Sequence, residues 1–357
     1  MVDDDGGLRQ RMGRFCRRTR RANGAPVLSR RGCKDPRRHD LSRWYGSSGQ
    51  TVSAAGLTVD GAAPAPQGIA RHDTTGSTMM RTVGTRLRAP GVRSFDHRAF
   101  DARRLAFGRG HRTVAVCLPA RNEAATVAPI VASVRRSLVA AGGGVDLVDD
   151  VVVVDDGSQD DTAAVARRAG ARVIAAHTEG GGKGQAMQHA LDHTDAEILV
   201  FLDADVQSFG PHFVTGLLGP LLDDGHGASD LALVKGFYTR PLHGEPDGGG
   251  RVTELVARPV IDLMFPHLSD VRQPLAGESA APRTVLDKTG FAAGYGVELG
   301  LLVDVAARFG VEHVAQVDLG VRVHRNRSLA DLRIEATDVL RTGLQRAGRA
   351  RHHLDLP

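Results

Sequence analysis

Residues 151–162 read VVVVDDGSQDDT, four consecutive valines followed at once by acidic and small polar residues. Three further short apolar runs, TVAVCLP (113–119), RVIAA (172–176) and ILVFL (198–202), also lead into polar or glycine-rich segments. Between the runs, apolar side chains recur at helical spacing, as in 124–141. Short apolar strands that alternate with longer helices are typical of βαβ units. The sequence therefore predicts an α/β fold with a mainly parallel sheet and helices on both faces.

Polar clusters follow the carboxyl end of each predicted strand, at 120–123, 155–158, 179–183 and 203–205. The carboxyl ends of parallel strands lie at one edge of the sheet, where α/β proteins bind their ligands. We therefore expect one site built from several loops. No GxGxxG follows the first strand, which argues against a nucleotide-dependent dehydrogenase.

The pattern is looser beyond residue 210 but does not break. The spacing predicts strands at 231–235 and within 314–324, and helices at 250–265, 296–309 and 329–349. No linker-like stretch separates the two parts. We therefore expect one catalytic unit, 111–357, with halves at 111–230 and 231–357.

Residues 1–110 differ in charge from the rest of the chain: they hold 22 Arg and Lys against nine Asp and Glu, whereas residues 111–357 hold 24 against 32. Residues 1–105 lack apolar periodicity, and we expect a disordered basic extension. A tail for anionic surfaces and a misassigned gene start, with Met79 or Met80 as initiator, both remain open; we favour the second. The acidic body argues against duplex nucleic-acid binding by the catalytic part.

Cysteine usage and hydropathy indicate the compartment. The three cysteines are widely spaced and form no CxxC, which argues against a disulfide framework and a zinc site. No apolar run approaches the roughly 18 residues that cross a bilayer, and no secretory signal is visible. We expect a cytoplasmic protein without a membrane partner.

Three of the strand-end positions carry groups suited to a nucleotide. Asp203 and Asp205 follow a buried strand, so both carboxylates can face one Mg²⁺ or Mn²⁺; a solvated turn is the alternative. Asp156 can accept hydrogen bonds from a base or ribose, or cap the next helix. Lys183 opens a helix, where it can reach a phosphate or remain a solvated loop lysine.

The second half offers a further anion site. In GGGRVTE (248–254), bare glycine amides, an arginine and a hydroxyl open a helix, as suits a phosphate, although a glycine-rich loop with a capping threonine is possible. His324 can be a metal ligand or a structural histidine. Glu278 and Glu298 are candidate carboxylates near a sugar hydroxyl.

Taken together, PARNE (119–123), VVVVDDGSQDDT, GGGKGQA (180–186) and FLDAD (201–205) resemble the nucleotide-sugar half of the glycosyltransferase-A fold. Five later segments resemble the glucosyl-3-phosphoglycerate synthase family: VKGFYTRPL (234–242), GGGRVTELVARP (248–259), QPLAGE (273–278), GYGVELGLLVD (294–304) and AQVDLGVRVHRNRSL (315–329). The resemblance covers nearly all of 111–335.

The resemblance implies a role for each matching position. The donor UDP-glucose would be bound by Pro119, Ala120, Arg121, Glu123, Asp156, Lys183, Asp203, Asp205, Glu298, Arg322 and Arg327. The acceptor 3-phosphoglycerate would be bound by Gly250, Arg251, Thr253 and Asn326. The metal ligands would be Asp205, His324 and Asp203, and the catalytic residues Asp205, Glu298 and Lys183.

The activity implied is metal-dependent transfer of glucose, with retention, to the 2-hydroxyl of 3-phosphoglycerate by a homodimer. Three alternatives stay open: a related transferase using GDP-glucose or a mannose nucleotide with the same acceptor, a transferase acting on a lipid phosphate, and a catalytically silent sugar-nucleotide-binding module.

Overall fold

The computed structural model describes residues 91–176, 181–222, 230–241, 250–323 and 328–354. Within these ranges eight strands form one sheet: β1 (Arg93–Asp96), β2 (Val114–Ala120), β3 (Asp150–Asp155), β4 (Arg172–Ala175), β5 (Ile198–Phe201), β6 (Leu233–Thr239), β7 (Ser279–Pro282) and β8 (Val314–Val321). Their order is β1-β8-β6-β7-β5-β2-β3-β4. β7 is antiparallel to its neighbours β5 and β6, and the other pairs are parallel. The predicted mainly parallel α/β sheet is confirmed.

Helices cover both faces of this sheet. In chain order they are α1 (Ala102–Gly108), α2 (Val127–Leu138), α3 (Thr162–Arg168), α4 (Lys183–Asp192), α5 (His212–Leu222), α6 (Arg258–Met264), α7 (Arg283–Thr289), α8 (Val297–Phe309) and α9 (Leu329–Leu354). Apolar side chains of α1, α2, α3 and α5 pack on one face. Those of α4 and of α6 to α9 pack on the other. No helix within the described ranges is both long and apolar enough to cross a membrane.

The four valines of β3 account for this three-layer arrangement. Val151 and Val153 belong to the core on one face, and Val152 and Val154 to the core on the other. Successive side chains of a strand point to opposite faces, so a continuous apolar run is stable only when both faces are covered. Burying each valine contributes roughly 1.5–3 kcal/mol.

The strand directions place the polar clusters together. Seven strands run the same way, because β5 and β6 are both antiparallel to the β7 between them. The chain therefore leaves the sheet at the same edge after Ala120, Asp155, Phe201, Thr239 and Val321. We call this edge the carboxyl edge.

Residues 91–105, which we expected to belong to the disordered extension, are instead part of the fold. Arg93–Asp96 adds an edge strand beside β8, and Asp101 caps α1 by accepting hydrogen bonds from the backbone of Arg103 and Arg104, at 3.0 Å each. Residues 1–90 of the predicted extension lie outside the described residues. The capping residue Asp101 could have predicted the start of α1 from the sequence. The edge strand β1 could not be predicted, because its four residues show no apolar pattern.

Candidate active site

A cavity of about 620 Å³ opens at the carboxyl edge. Loops after β2 and β5, the start of α4, the segment that leads into α6 and the first turns of α9 form its wall. Most predicted site residues line it: Pro119, Ala120, Arg121, Glu123, Asp156, Lys183, Asp203, Asp205, Gly250, Arg251, Thr253, Glu298 and Arg322. His324, Asn326 and Arg327 lie outside the described residues, so their roles stay predictions.

Asn122 fixes the loop after β2. Its φ of +57° lies in the left-handed region, which asparagine tolerates better than most residues. Its backbone N–H donates to Ser158 Oγ at 3.0 Å, and its Oδ1 accepts from the Gln159 N–H at 2.7 Å. The loops after β2 and β3 are thereby joined, which brings Arg121 close to Asp156.

Asp156 is a nearly buried carboxyl group at this end of the cavity. Its exposed fraction is 9%, and Arg121 Nη1 lies 3.9 Å from its Oδ2. Burial raises the pKa of Asp156, and the Arg121 guanidinium opposes that rise. A sheltered carboxyl group beside open space suits hydrogen bonding to a base or a ribose.

Lys183 joins two carboxylates. Its Nζ contacts Asp203 Oδ1 and lies 2.6 Å from Glu298 Oε1, and the three side chains are at most 19% exposed. Burial opposes the charge on Lys183, but Asp203 and Glu298 outweigh it and raise the pKa of this lysine. Lys183 is therefore a buried, charged group held at the start of α4 and not a solvated loop lysine.

Arg322 contacts the two aspartates after β5. Its Nη2 donates to Asp203 Oδ2 at 2.7 Å and to Asp205 Oδ1 at 2.8 Å. The resemblance implied that Arg322 binds the donor; it lines the cavity, but it is only 4% exposed, and its hydrogen bonds go to Tyr238, Asp203 and Asp205. Burial raises the pKa of Asp203, and the cations Lys183 and Arg322 outweigh that effect and hold it well below its usual range.

The same contacts test whether the aspartates fit a divalent cation. Both carboxylates line the cavity, and they lie close enough together for one nitrogen of Arg322 to contact an oxygen of each. Two converging carboxylate oxygens suit a hard cation such as Mg²⁺ or Mn²⁺, with phosphate and water oxygens as further ligands. Within the described residues no cluster of three metal-binding side chains forms; the third predicted ligand, His324, lies outside them.

Gly277 leaves room for the side chains of Asp203 and Lys183. A Cβ built on Gly277 would overlap Asp203 Oδ1 and Lys183 Nζ. We expect Gly277→Ala to lower kcat by about 100-fold, since a displacement of about 1 Å costs that much in oriented catalysis. Steady-state kinetics and a thermal melt measure the effect.

Gly348→Ala is the matched control, because a Cβ at Gly348 meets no atom within 4 Å. We expect it to keep full activity. Wild-type turnover in Gly277→Ala would contradict the close packing that we describe.

Gly250 begins the part of the cavity wall that leads into α6. Its φ of +83° is one that glycine adopts without strain. From Gly250 the chain continues through a π-helical turn, Thr253–Ala257, into α6. Arg251 and Thr253 of this segment line the cavity, as predicted for an anion site at the start of a helix.

Glu278 does not lie where a sugar carboxylate was expected. Its side chain is fully buried and is not part of the cavity wall. The Tyr238 hydroxyl donates to Glu278 Oε2 at 2.8 Å. Glu278 therefore lies behind Arg322, whereas Glu298 faces the cavity as predicted.

Sequence reasoning assigned no role to several residues of the cavity wall, namely Arg240, Leu275, Tyr295, Ser328, Asp331, Leu332, Ile334 and Glu335. Arg240 and Tyr295 lie inside two of the segments that resemble the family, and that resemblance could have identified them as site residues. The residues of α9 had none, because a helical pattern does not reveal which strands the helix crosses.

Comparison with known proteins adds independent observations. The family model "Glycosyl transferase family 2" matches residues 115–248. The glucosyl-3-phosphoglycerate synthase of Mycobacterium tuberculosis is 43% identical over 278 residues, covering 73% of this chain and 83% of that protein. The Mycolicibacterium smegmatis protein of the same name is 43% identical over 254 residues, 68% and 80% of the two chains.

The similarity extends to solved structures. A crystal structure of the M. tuberculosis glucosyl-3-phosphoglycerate synthase in complex with Mn²⁺, UDP-glucose and phosphoglyceric acid superimposes with a TM-score of 0.64 at 41% identity. It covers 72% of this chain and 88% of that chain. The same enzyme has also been solved with Mg²⁺ and UDP.

Proposed function

The chain belongs to the glucosyl-3-phosphoglycerate synthase family, and from this premise we propose that it transfers glucose from UDP-glucose to the 2-hydroxyl of 3-phosphoglycerate with retention. It is a UDP-glucose-dependent hexosyltransferase that uses Mg²⁺ or Mn²⁺. The observation that carries the proposal is the cavity, which brings the acidic pair Asp203 and Asp205 together with the anion-binding segment at Arg251.

The donor half, 111–230, binds the nucleotide in this proposal. Pro119, Ala120, Arg121, Glu123 and Asp156 surround the base and ribose at one end of the cavity. The joined loops after β2 and β3 support this role, because they fix Arg121 and Asp156 before any ligand arrives.

Asp203, Asp205 and His324 are the proposed metal ligands. A bound Mg²⁺ or Mn²⁺ would stabilise the negative charge that develops on the leaving diphosphate. Lys183 and Arg322 hold the carboxylates in place through their ion pairs, so little rearrangement is needed during the reaction.

The acceptor half, 231–357, binds 3-phosphoglycerate in this proposal. Gly250, Arg251, Thr253 and Asn326 receive its phosphate and carboxylate, which leaves the 2-hydroxyl near the sugar. Fixing the acceptor by its charged ends supplies orientation, which is a large part of the catalytic effect available to a transferase.

Glu298 contacts the donor glucose and is paired with Lys183. Because we identify no side chain among the described residues that would act as a covalent nucleophile, we favour a single step in which the acceptor attacks from the face that the diphosphate leaves. The bond from the anomeric carbon to the β-phosphate oxygen breaks, the bond to the acceptor 2-oxygen forms, and the hydroxyl proton passes to the departing phosphate. Retention follows from attack and departure on the same face.

Product analysis tests the reaction. Purified protein with UDP-glucose, 3-phosphoglycerate and Mg²⁺ should release UDP and form glucosyl-3-phosphoglycerate, with the anomeric configuration read by NMR. Preference for GDP-glucose, for a mannose nucleotide or for a lipid phosphate would support the other transferases. Tight UDP-glucose binding without turnover would support a silent binding module.

Arg251→Ala tests the acceptor assignment. We expect the KM for 3-phosphoglycerate to rise by 10-fold to 100-fold with little change in the KM for UDP-glucose, because hydrogen bonds to charged groups contribute about 1.5–3 kcal/mol. Arg308→Ala is the control, since Arg308 is exposed and lies outside the cavity wall. A rise confined to the KM for UDP-glucose would move Arg251 to the donor.

A cytoplasmic homodimer completes the proposal. Leu329, Leu340 and Leu344 of α9 are 43–74% exposed and do not line the cavity, and exposed apolar side chains on one element suit an interface between copies. Light scattering coupled to size exclusion measures the mass, and cell fractionation the location. A monomer at micromolar concentration would contradict the dimer.

A further inference from the structure

Tyr238 and Glu278 form a buried pair behind the cavity. They are 3% and 0% exposed, and neither belongs to the cavity wall. The Tyr238 hydroxyl donates to Glu278 Oε2 at 2.8 Å, and it accepts from Arg322 Nη1 at 2.5 Å and from Arg240 Nη2 at 2.9 Å. Its one donor and both acceptor positions are therefore used.

The two arginines held by Tyr238 contact different parts of the site. Arg322 extends from the hydroxyl to the Asp203 and Asp205 carboxylates. Arg240 lies beside the acceptor segment, because its Nη1 is 3.3 Å from the position of a Cβ on Gly250. Both arginines line the cavity.

Tyr238 and the two aspartates hold the Arg322 guanidinium, and Glu278 places a carboxylate beside it. Arg322 Nη1 donates to the Tyr238 hydroxyl and Nη2 to the aspartates, whereas Glu278 Oε1 lies 3.5 Å from Arg322 Nε, at ion-pair distance but without a hydrogen bond. Both guanidinium groups also lie over the Tyr238 ring: the ring centre is 5.1 Å from Arg322 Cζ and 4.9 Å from Arg240 Cζ. A planar group bound at two edges and one face has one orientation.

We infer that Tyr238 and Glu278 are positioning residues for the transfer reaction, acting through Arg322 at the diphosphate end and, for Tyr238 alone, through Arg240 at the acceptor end. This inference rests on the proposed function. Its physical basis is that neither side chain reaches the cavity, whereas both guanidinium groups that they hold do.

The two residues predict different kinetic changes. Glu278→Gln keeps an oxygen that can accept from Tyr238 but removes the negative charge beside Arg322, so we expect kcat to fall by 10-fold to 100-fold, as for other residues that orient a ligating group, with the KM for 3-phosphoglycerate unchanged. Tyr238→Phe keeps the ring and loosens both arginines, so kcat should fall by about 10-fold and the KM for 3-phosphoglycerate should rise.

A double-mutant cycle separates positioning from general stability. In an Arg322→Lys background, Tyr238→Phe should change kcat by less than about twofold, because its route to the diphosphate end is already broken. Asp304→Asn is the control: Asp304 forms a comparable ion pair with Arg346, at 2.5 Å, away from this cavity. It should lower the melting temperature without changing kcat.

Calorimetry of UDP binding in the presence of Mg²⁺ tests the inference without depending on catalytic turnover. We expect Tyr238→Phe and Glu278→Gln to weaken it about 10-fold and Asp304→Asn to leave it unchanged. A wild-type protein that binds UDP but transfers no glucose would overturn the proposed function, and this affinity would then decide the inference alone. Wild-type kcat and UDP affinity in Tyr238→Phe, or effects that add fully in the Arg322→Lys background, would overturn the inference.

Discussion

Replacing Asp205 with asparagine should lower kcat by about 1,000-fold. The substitution keeps the shape of the side chain but removes one of the two carboxylates that converge beside the cavity. A divalent cation contributes several kcal/mol to a charged transition state, and each 1.36 kcal/mol is a factor of ten in rate. UDP release at saturating substrates measures the change, and titration with Mn²⁺ followed by electron paramagnetic resonance measures the ion affinity separately.

The fold should survive this change. Arg322 retains Asp203 as a partner, and asparagine keeps an oxygen that can accept from Arg322, so the free energy of unfolding should fall by about 1.5–3 kcal/mol, as for one hydrogen bond to a charged group. Asp195→Asn makes the same chemical change at an exposed residue before the opposite end of β5 and should leave kcat unchanged. Full activity of Asp205→Asn would remove Asp205 from the metal site.

Lys183→Met should reduce both stability and turnover. Methionine fills most of the same volume but leaves Asp203 and Glu298 without the cation that joins them. Removing one partner of a buried ion pair costs 3–5 kcal/mol, and we expect about 3 kcal/mol because these side chains are not fully buried. We expect kcat to fall by about 100-fold, since a fixed cation near a developing anion contributes that much.

The loss of stability should depend on pH in a defined direction. The pKa of Asp203 is lowered in the folded state, so its stabilising effect is present above the unfolded value of about 4 and disappears as the pH falls through the folded value. The pKa of Lys183 is raised, so its contribution is lost only as the pH rises past about 10. The difference in unfolding free energy between wild type and Lys183→Met should be largest from about pH 5 to 9 and shrink in acid.

Urea denaturation across this pH range provides the measurement. Lys288→Met is the control, because Lys288 is exposed and its ammonium group lies 5.9 Å from the ring centre of Phe309, away from the cavity. An unfolding free energy for Lys183→Met that matches wild type near pH 7 would contradict the buried pairing.

The core of the sheet followed from the sequence with few errors. β2, β3, β4 and β5 were predicted within a residue or two, because each is an apolar run between polar segments. β7, Ser279–Pro282, was missed because its SAAP sequence has no β-branched residue and pairs through its backbone between β5 and β6. α5 was missed because all its residues after His212 are buried, and a nearly continuous apolar run lacks the periodicity of a surface helix.

Some residues of the site could likewise be predicted from the sequence, and others could not. Asp203, Asp205 and Lys183 were predicted because strand ends and helix starts are local features of the chain. That Arg322 would bridge the two aspartates was not predictable, since it depends on β8 and β5 ending at the same edge although two strands separate them along the chain. Glu278, predicted near a sugar, lies behind Arg322 for the same reason.

The sequence by itself determined the type of sheet, the edge at which ligands bind and the family, because apolar runs, strand ends and motifs are properties of neighbouring residues. Only the tertiary structure decided which charges pair, which face the cavity and which are buried behind it. Such pairings join residues as far apart as Asp203 and Arg322, and their energies depend on burial and distance, which are set when the strands assemble.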